Sequence, residues 1–267
     1  MNLHSFKRDI ARGGYVAALT MAGSIYGSNP VPLPLLRFSR SLATYENPLT
    51  PRKGVPVLDP GKIEDQDLGL LFEGLIFDEW SLNHDAINFL RRLYLDLQPD
   101  RVLEFGSGVS TVVFSHLIRS QAATGDVKLF SVEQSPEFAD KTRAMLARGG
   151  LENIPQFSCP GMTEGIFDGQ AVECYDMRDD VLADLFSTVQ PSLIFIDGPF
   201  GTGPVRGPIL PRLLPYLKAP TRVILDDALR DNEMRILDVW DSLPGVTVKG
   251  VHLIRKGMAE ITVMPRG

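Results

Sequence analysis

The segment Val102-Leu103-Glu104-Phe105-Gly106-Ser107-Gly108-Val109-Ser110-Thr111 constrains the fold of this chain more than any other. An apolar run ends beside an acid, turns through two glycines one residue apart, and opens into the helical pattern of residues 111–118. Strand, tight turn and helix follow in that order. The glycines let the backbone approach a ligand closely, and a helix start presents unpaired N–H groups to it. A nucleotide-like molecule suits such a place.

Beyond residue 100 the periodicity alternates. Strands are expected at 101–105, 127–132, 154–158, 193–196 and 222–225, from short apolar runs bounded by turn residues. Helices are expected at 110–121, 136–148, 208–217 and 233–243. Residues 246–254 and 260–263 read as strands joined through Arg255-Lys256-Gly257-Met258, which is a hairpin. Two helices, 65–77 and 83–96, come before the first strand, the second with Ser81 as its expected N-cap. Strands alternating with helices imply an α/β fold with a mostly parallel sheet, helices on both faces and an antiparallel last strand. Ligands bind such sheets outside the carboxyl ends of the strands, where strand order reverses. Acids stand at those ends. Glu104 lies beside the Gly106/Gly108 turn after the first strand, and Glu133 follows the second. Asp197 follows the fourth, with Asp226 and Asp227 after the fifth.

The 267 residues are enough for one α/β domain at 63–267, with residues 1–62 as an N-terminal extension, arm or lid. A net charge of −6 without a dense Lys/Arg stripe argues against binding nucleic acid. Cys159 and Cys174 are the only cysteines and lack metal-ligand spacing, so they read as reduced core or loop thiols. Lys7, Arg8 and Arg12 precede an uncharged stretch, residues 13–36, that glycines and prolines interrupt. It therefore holds no run of the roughly 20 apolar residues that a transmembrane helix needs. Asp9 in the basic region weakens a signal-peptide reading, and a cytoplasmic chain is expected.

The ligand at the glycine turn can be narrowed. A dinucleotide fingerprint wants G-x-G-x-x-G, but Thr111 stands where the third glycine belongs. Glu104 would also repel a pyrophosphate. An acid there suits a cofactor with a cationic amino-acid group, through a charge-assisted hydrogen bond. S-adenosylmethionine has that group, and its ribose hydroxyls suit Glu133. An NAD-dependent oxidoreductase or epimerase is the alternative enzyme, and a non-catalytic cofactor-binding domain the alternative outside enzymes.

Four stretches together resemble the class I S-adenosylmethionine-dependent methyltransferases: residues 103–111, Ser131-Val-Glu-Gln134, Ile194-Phe-Ile-Asp-Gly-Pro199 and Val223-Ile-Leu-Asp-Asp-Ala228. The likeness is greatest to the branch with LEFGSG-ST and IDGP motifs, and covers roughly residues 80–264. It implies a Rossmann-like seven-stranded sheet with an antiparallel last strand. It also implies a cofactor cradle of Glu104, Gly106, Ser107, Gly108 and Ser110, with Glu133 as the ribose ligand. Residues 159–162 match no adenine-pocket motif. The expected activity is O-methylation of a small hydroxylated metabolite or sugar.

An oxygen nucleophile needs its proton removed by a base, or its pKa lowered by a metal. Asp197, Asp226 and Asp227 form a carboxylate group suited to Mg²⁺, similar to the metal-dependent catechol-type O-methyltransferases. Asp227 replaces the amide of that pattern, and no lysine follows Asp197; the alternative to a metal is that Asp226 and Asp227 cap the following helix and pair with Arg230 or Arg206. Asp197, Asp227 or His84 is then the expected base. His116 reads as structural or solvated, and His252 sits in a strand with no partner visible. Residues 197–207, rich in glycine, are expected to form a mobile loop with Arg206 reaching the acceptor. The first 80 residues are expected to supply the other wall or a homodimer contact.

Overall fold

Four consecutive apolar residues, Leu193-Ile-Phe-Ile196, form the strand at the centre of the sheet, and all four are buried. A strand buried on both faces reads as a continuous apolar run, because helices cover the sheet above and below. The computed structural model describes residues 19–41, 62–75, 81–121, 128–188 and 190–265.

The strands are β1 (Arg101–Phe105), β2 (Lys128–Val132), β3 (Pro155–Ser158), β4 (Met162–Phe167), β5 (Gln170–Tyr175), β6 (Leu193–Ile196), β7 (Thr221–Asp226), β8 (Val246–His252) and β9 (Met258–Val263). Seven make one sheet in the order β3-β2-β1-β6-β7-β9-β8. β3, β2, β1, β6 and β7 run parallel, while β9 is antiparallel to both β7 and β8. The expected mostly parallel sheet with an antiparallel last strand is present. The chain builds outward from β1 to β3 and then returns to β6 beside β1. Strand order therefore reverses between β1 and β6.

Side chains alternate across this sheet, and each face has its own apolar core. Leu103, Phe105, Ile194, Ile196, Val223 and Leu225 join one core, with Trp240. Val102, Leu129, Leu193, Phe195 and Ile224 join the other, with Phe114. The covering helices are α4 (His84–Leu97), α5 (Val109–Ser120), α6 (Pro136–Ala147), α7 (Asp179–Thr188), α8 (Ile209–Leu213) and α9 (Asp231–Trp240). Earlier in the chain are α1, helical over described residues 19–26, α2 (Leu33–Ser41) and α3 (Gln66–Leu71).

Several local expectations are corrected. α4 is capped by Asn83, whose side chain accepts from Ala86 N–H, and not by Ser81. α3 stops at Leu71 and the chain turns to Gly74, where φ is +74°, which ends the helix expected to reach residue 77; residues 76 and 77 lie outside the described residues. The helix expected at 208–217 is α8 followed by a 3-10 turn at Leu214–Tyr216. Pro215 removes the N–H that a continuing α-helix would use. Periodicity also omits β4, β5 and α7. Their turn signal is Asp168-Gly169, with both φ values positive, the pairing that a two-residue hairpin favours. Both cysteines are free, Cys174 buried and Cys159 exposed.

The described part of the first 62 residues shares a core with the sheet. Leu19, Ala22, Val31, Leu33 and Leu36 are buried in it. Val31 pairs antiparallel with Val251 on the edge strand β8, through bonds of 2.8 and 2.9 Å. His252 has partners after all: Nδ1 lies 2.9 Å from the Ser28 carbonyl oxygen and Nε2 lies 2.8 Å from a Glu260 carboxylate oxygen. Covering an edge strand this way removes its exposed ladder. Among the described residues no helix is long and apolar enough to cross a membrane.

Gly250 sits at φ +146°, beside an irregularity in the β8–β9 register, and a Cβ there would collide with the Val31 carbonyl. Gly250→Ala should therefore detach the N-terminal segment from β8 and destabilise the protein by about 1–3 kcal/mol. Limited proteolysis should show faster cleavage before residue 62, alongside a lower Tm. Unchanged cleavage would separate this contact from the anchoring of the segment.

Candidate functional site

At the strand-order reversal, the ends of β1 and β6 meet backbone against backbone. Gly106 has φ +91°, and a Cβ placed on it would stand 2.5 Å from the Gly198 nitrogen. A Cβ on Gly198 would in turn meet the Tyr175 hydroxyl at 2.5 Å and the Gly106 Cα at 2.8 Å. The N–H groups of Asp197 and Gly198 both donate to the Phe105 carbonyl, at 2.8 and 2.7 Å. Only glycine permits this approach, for want of a side chain.

Glu104 lies beneath this turn, fully buried. Its Oε2 accepts from the Thr111 hydroxyl at 2.6 Å and from the hydroxyl of its cross-strand neighbour Ser131 at 2.8 Å. The Ser110 hydroxyl also bonds to Glu104. Thr111 Oγ1 accepts from Gly108 N–H at 2.9 Å, so one hydroxyl ties the turn to the buried acid. At the sequence level Thr111 registers only as a missing glycine; here it caps the helix. Burial, more than any other effect, pushes the Glu104 carboxyl up to about 7, against the bonds from Ser110, Thr111 and Ser131.

Glu133 fastens the same turn from the end of β2. Its Oε2 accepts from Ser107 N–H at 2.8 Å and Ser107 Oγ at 3.0 Å, and its Oε1 from Ser135 N–H at 3.0 Å. A carboxylate offers about four lone-pair positions, so capacity remains for a further donor.

A cavity of ≈ 380 Å³ opens at these strand ends. From the β1 and β2 ends it is lined by Gly106, Ser107, Glu133 and Gln134, and from the β6 and β7 ends by Asp197, Gly198, Arg206 and Asp227. Phe138, Tyr175, Phe200, Arg230, Arg255 and Lys256 complete the lining. Of the residues expected at the site, Gly106, Ser107, Glu133, Asp197 and Asp227 border this cavity. Glu104, Gly108, Ser110, Asp226 and His84, the last in the first turn of α4, are not part of its lining. None of the described residues of 1–62 lines it. The 197–207 segment is clipped to β2: the Gln134 amide donates to the Phe200 carbonyl at 3.1 Å and accepts from Phe200 N–H.

Arg206 and Arg230 pair with Asp227, as the alternative to a metal expects, and Arg206 is the more deeply set of the two. It is 5% exposed. One terminal nitrogen lies 3.2 Å from Asp197 Oδ1 and 3.4 Å from Asp227 Oδ2. The other donates to the Asp226 carbonyl at 3.0 Å and faces Glu233 at 3.8 Å. Trp240 donates from its indole to the Gly207 carbonyl at 2.9 Å, which steadies the turn carrying Arg206. Asp227 also meets Arg230 at 2.8 Å and Lys256 at 3.7 Å.

These contacts divide the carboxylates. Burial would raise Asp227, but Arg206, Arg230 and Lys256 together hold it below its ordinary value. Burial first, then the charges of Asp227 and Asp197, lifts Asp226 well above the carboxylate range. Asp197 is raised too, by burial and by Asp227, with Arg206 opposing. Asp197, Asp226 and Asp227 can each present an oxygen within 4.8 Å of the others. By distance alone a divalent cation could bridge them. The guanidinium of Arg206 already stands against the same carboxylates, and a second, doubly charged cation beside it would be repelled. The residues present do not fit a bound Mg²⁺.

No protein-family model matches the sequence, and no curated protein matches it. Solved structures do. An O-methyltransferase from Streptomyces achromogenes, TomG, involved in tomaymycin synthesis and solved with S-adenosylmethionine, is 16% identical with a TM-score of 0.51. The likeness covers 86% of this chain and 95% of that one. An O-methyltransferase from Bacillus cereus, solved with S-adenosylhomocysteine, is 16% identical with a TM-score of 0.54, over 78% of this chain and 94% of that one. At such identity the shared property is the fold.

Glu104 holds its proton more tightly when folded than unfolded. Its contribution to stability should be fullest below pH 4.5 and should be lost as pH rises through about 7. The loss should amount to about 3 kcal/mol. Chemical denaturation across pH 5–8 should show that decline in the wild type and a flatter profile in Glu104→Gln. Equal slopes would mean that Glu104 does not titrate in this window.

Proposed function

We propose that this protein transfers the methyl group of S-adenosylmethionine to a hydroxyl of a small metabolite or sugar. One observation carries the reading: the glycine turn, Glu133 and the acid-bearing end of β6 line a single cavity. The shared fold with two O-methyltransferases supports it. Fold alone allows many chemistries, so the site must bear the weight.

S-adenosylmethionine supplies a sulfonium methyl that an acceptor oxygen displaces in line, leaving S-adenosylhomocysteine. Gly106 and Ser107 offer close backbone approach to its amino-acid portion, with Glu104 holding the turn from beneath through Thr111. Glu133 is suited to accept from the ribose hydroxyls, and the exposed ring of Phe138 offers an apolar face beside it. Asp197 is the base. It borders the cavity, and its raised pKa brings it nearer the working pH, where a base is most effective. Asp227, held ionised by three cations, is the weaker base. The O–H bond of the acceptor gives its proton to Asp197 as its oxygen bonds to the methyl carbon. No step runs through a metal. Arg230, Arg255 and Lys256 line the same cavity as Asp197, which favours an acceptor with an acidic group near the hydroxyl.

Calorimetry should detect S-adenosylmethionine binding and none of NAD. Glu133→Gln should weaken that binding about tenfold, the loss of one charge-assisted hydrogen bond. Preferential NAD binding would overturn the reading in favour of an oxidoreductase. Against a panel of hydroxylated acids, Asp197→Asn should retain cofactor affinity and lose about 10²-fold or more of methyl transfer. The wild-type rate should fall as Asp197 protonates, at a pH above the ordinary carboxylate range. Tight cofactor binding with no turnover on any acceptor would favour a non-catalytic binding domain.

A further inference from the structure

Among Asp197, Asp226 and Asp227 stands a guanidinium, where three converging carboxylates would otherwise invite a divalent ion. Arg206 reaches two of the three carboxylates, at 3.2 and 3.4 Å, and the backbone carbonyl of the third residue at 3.0 Å. It is buried, its turn is held by Trp240, and swinging aside would cost Asp197 its ion pair. Asp227 is further matched by Arg230 and Lys256, so three cations converge on one carboxylate. A divalent oxygen-seeking ion needs about six oxygen ligands at short range. Here the carboxylate oxygens already face fixed positive charge.

We infer that Arg206 occupies the cation seat of this carboxylate trio and so excludes divalent metal from the site. The seat rests on geometry and does not depend on the methyl-transfer reading above. A guanidinium supplies fixed positive charge and directed N–H donors, here spent on Asp197, Asp227 and the Asp226 carbonyl. Asp226 and Asp227 each keep a buried Oδ1 without a hydrogen bond. Removing the guanidinium would leave these oxygens, with Asp197, as ligands lacking their strongest competitor.

Mn²⁺ is the probe. Its free-ion electron paramagnetic resonance signal, titrated against the full-length protein, should be unchanged by the wild type. Arg206→Gln should quench it with one ion per chain, an increase in affinity of about tenfold or more, as expected from removing one adjacent positive charge. Adding Asp197→Asn to that variant should abolish the binding, and Arg206→Lys, which keeps the charge, should bind no more than the wild type. Circular dichroism on each variant identifies any that fails to fold. Stoichiometric Mn²⁺ binding by the wild type, lost in Asp227→Asn, would overturn the inference whatever the Arg206 variants do. So would a folded Arg206→Gln that binds no more Mn²⁺ than the wild type. S-adenosylmethionine calorimetry on the same preparations separates the two ideas: failure there removes the methyl-transfer reading and leaves the occupant of the seat unaffected.

Discussion

Gly106 and Gly198 bring two strand ends together with no space for a Cβ between them, and the site is organised around that contact. Parallel strands diverge in their connections where strand order reverses, which opens a crevice at their carboxyl ends. Here the crevice is narrowed at its base because both loops begin with backbone alone. The first loop becomes the cofactor-facing turn, held from below by Glu104 through Thr111 and from the side by Glu133 through Ser107. The second carries Asp197 and leads to Arg206. A side chain at either glycine would push these loops apart, and the residues lining the cavity would lose their relation.

The acids at the strand ends follow one electrostatic logic. Glu104 receives hydroxyl bonds on Oε2 alone, its Oε1 is buried without a partner, and burial favours its neutral form. Asp227 is equally buried but surrounded by cations, and it remains charged. Between these extremes lies Asp197, raised yet open to the cavity, which is the combination a base requires. Three acids at three strand ends thus take different roles through what each touches. Their residue type does not distinguish them.

Much of this architecture was legible in the residues. The apolar run 193–196, the glycine turn at 106–108 and the terminal hairpin each carry a local signal, because strand burial and turn chemistry act over a few neighbouring residues. The β4–β5 hairpin was less visible. Its strands are partly exposed and mix charge with apolar residues, so alternation is weak, and only Asp168-Gly169 marks it. His252 gained its partners from Ser28, far away in sequence, and from Glu260 across the hairpin. Periodicity along a strand carries no information about what packs against its side chains.

The sequence by itself determined the alternating order of elements, the antiparallel ending, and which acids would stand at strand ends. It did so because periodicity and turn residues operate locally. Only the tertiary structure decided what neutralises those acids. Arg206 is nine residues from Asp197 and twenty from Asp226 along the chain, and nothing in that spacing places it between them. The fold of its turn, held by Trp240 from α9, sets the guanidinium against Asp197, Asp227 and the Asp226 backbone. A carboxylate trio that reads as a metal site in one dimension becomes an arginine-centred ion cluster in three, because charge compensation depends on distance through space.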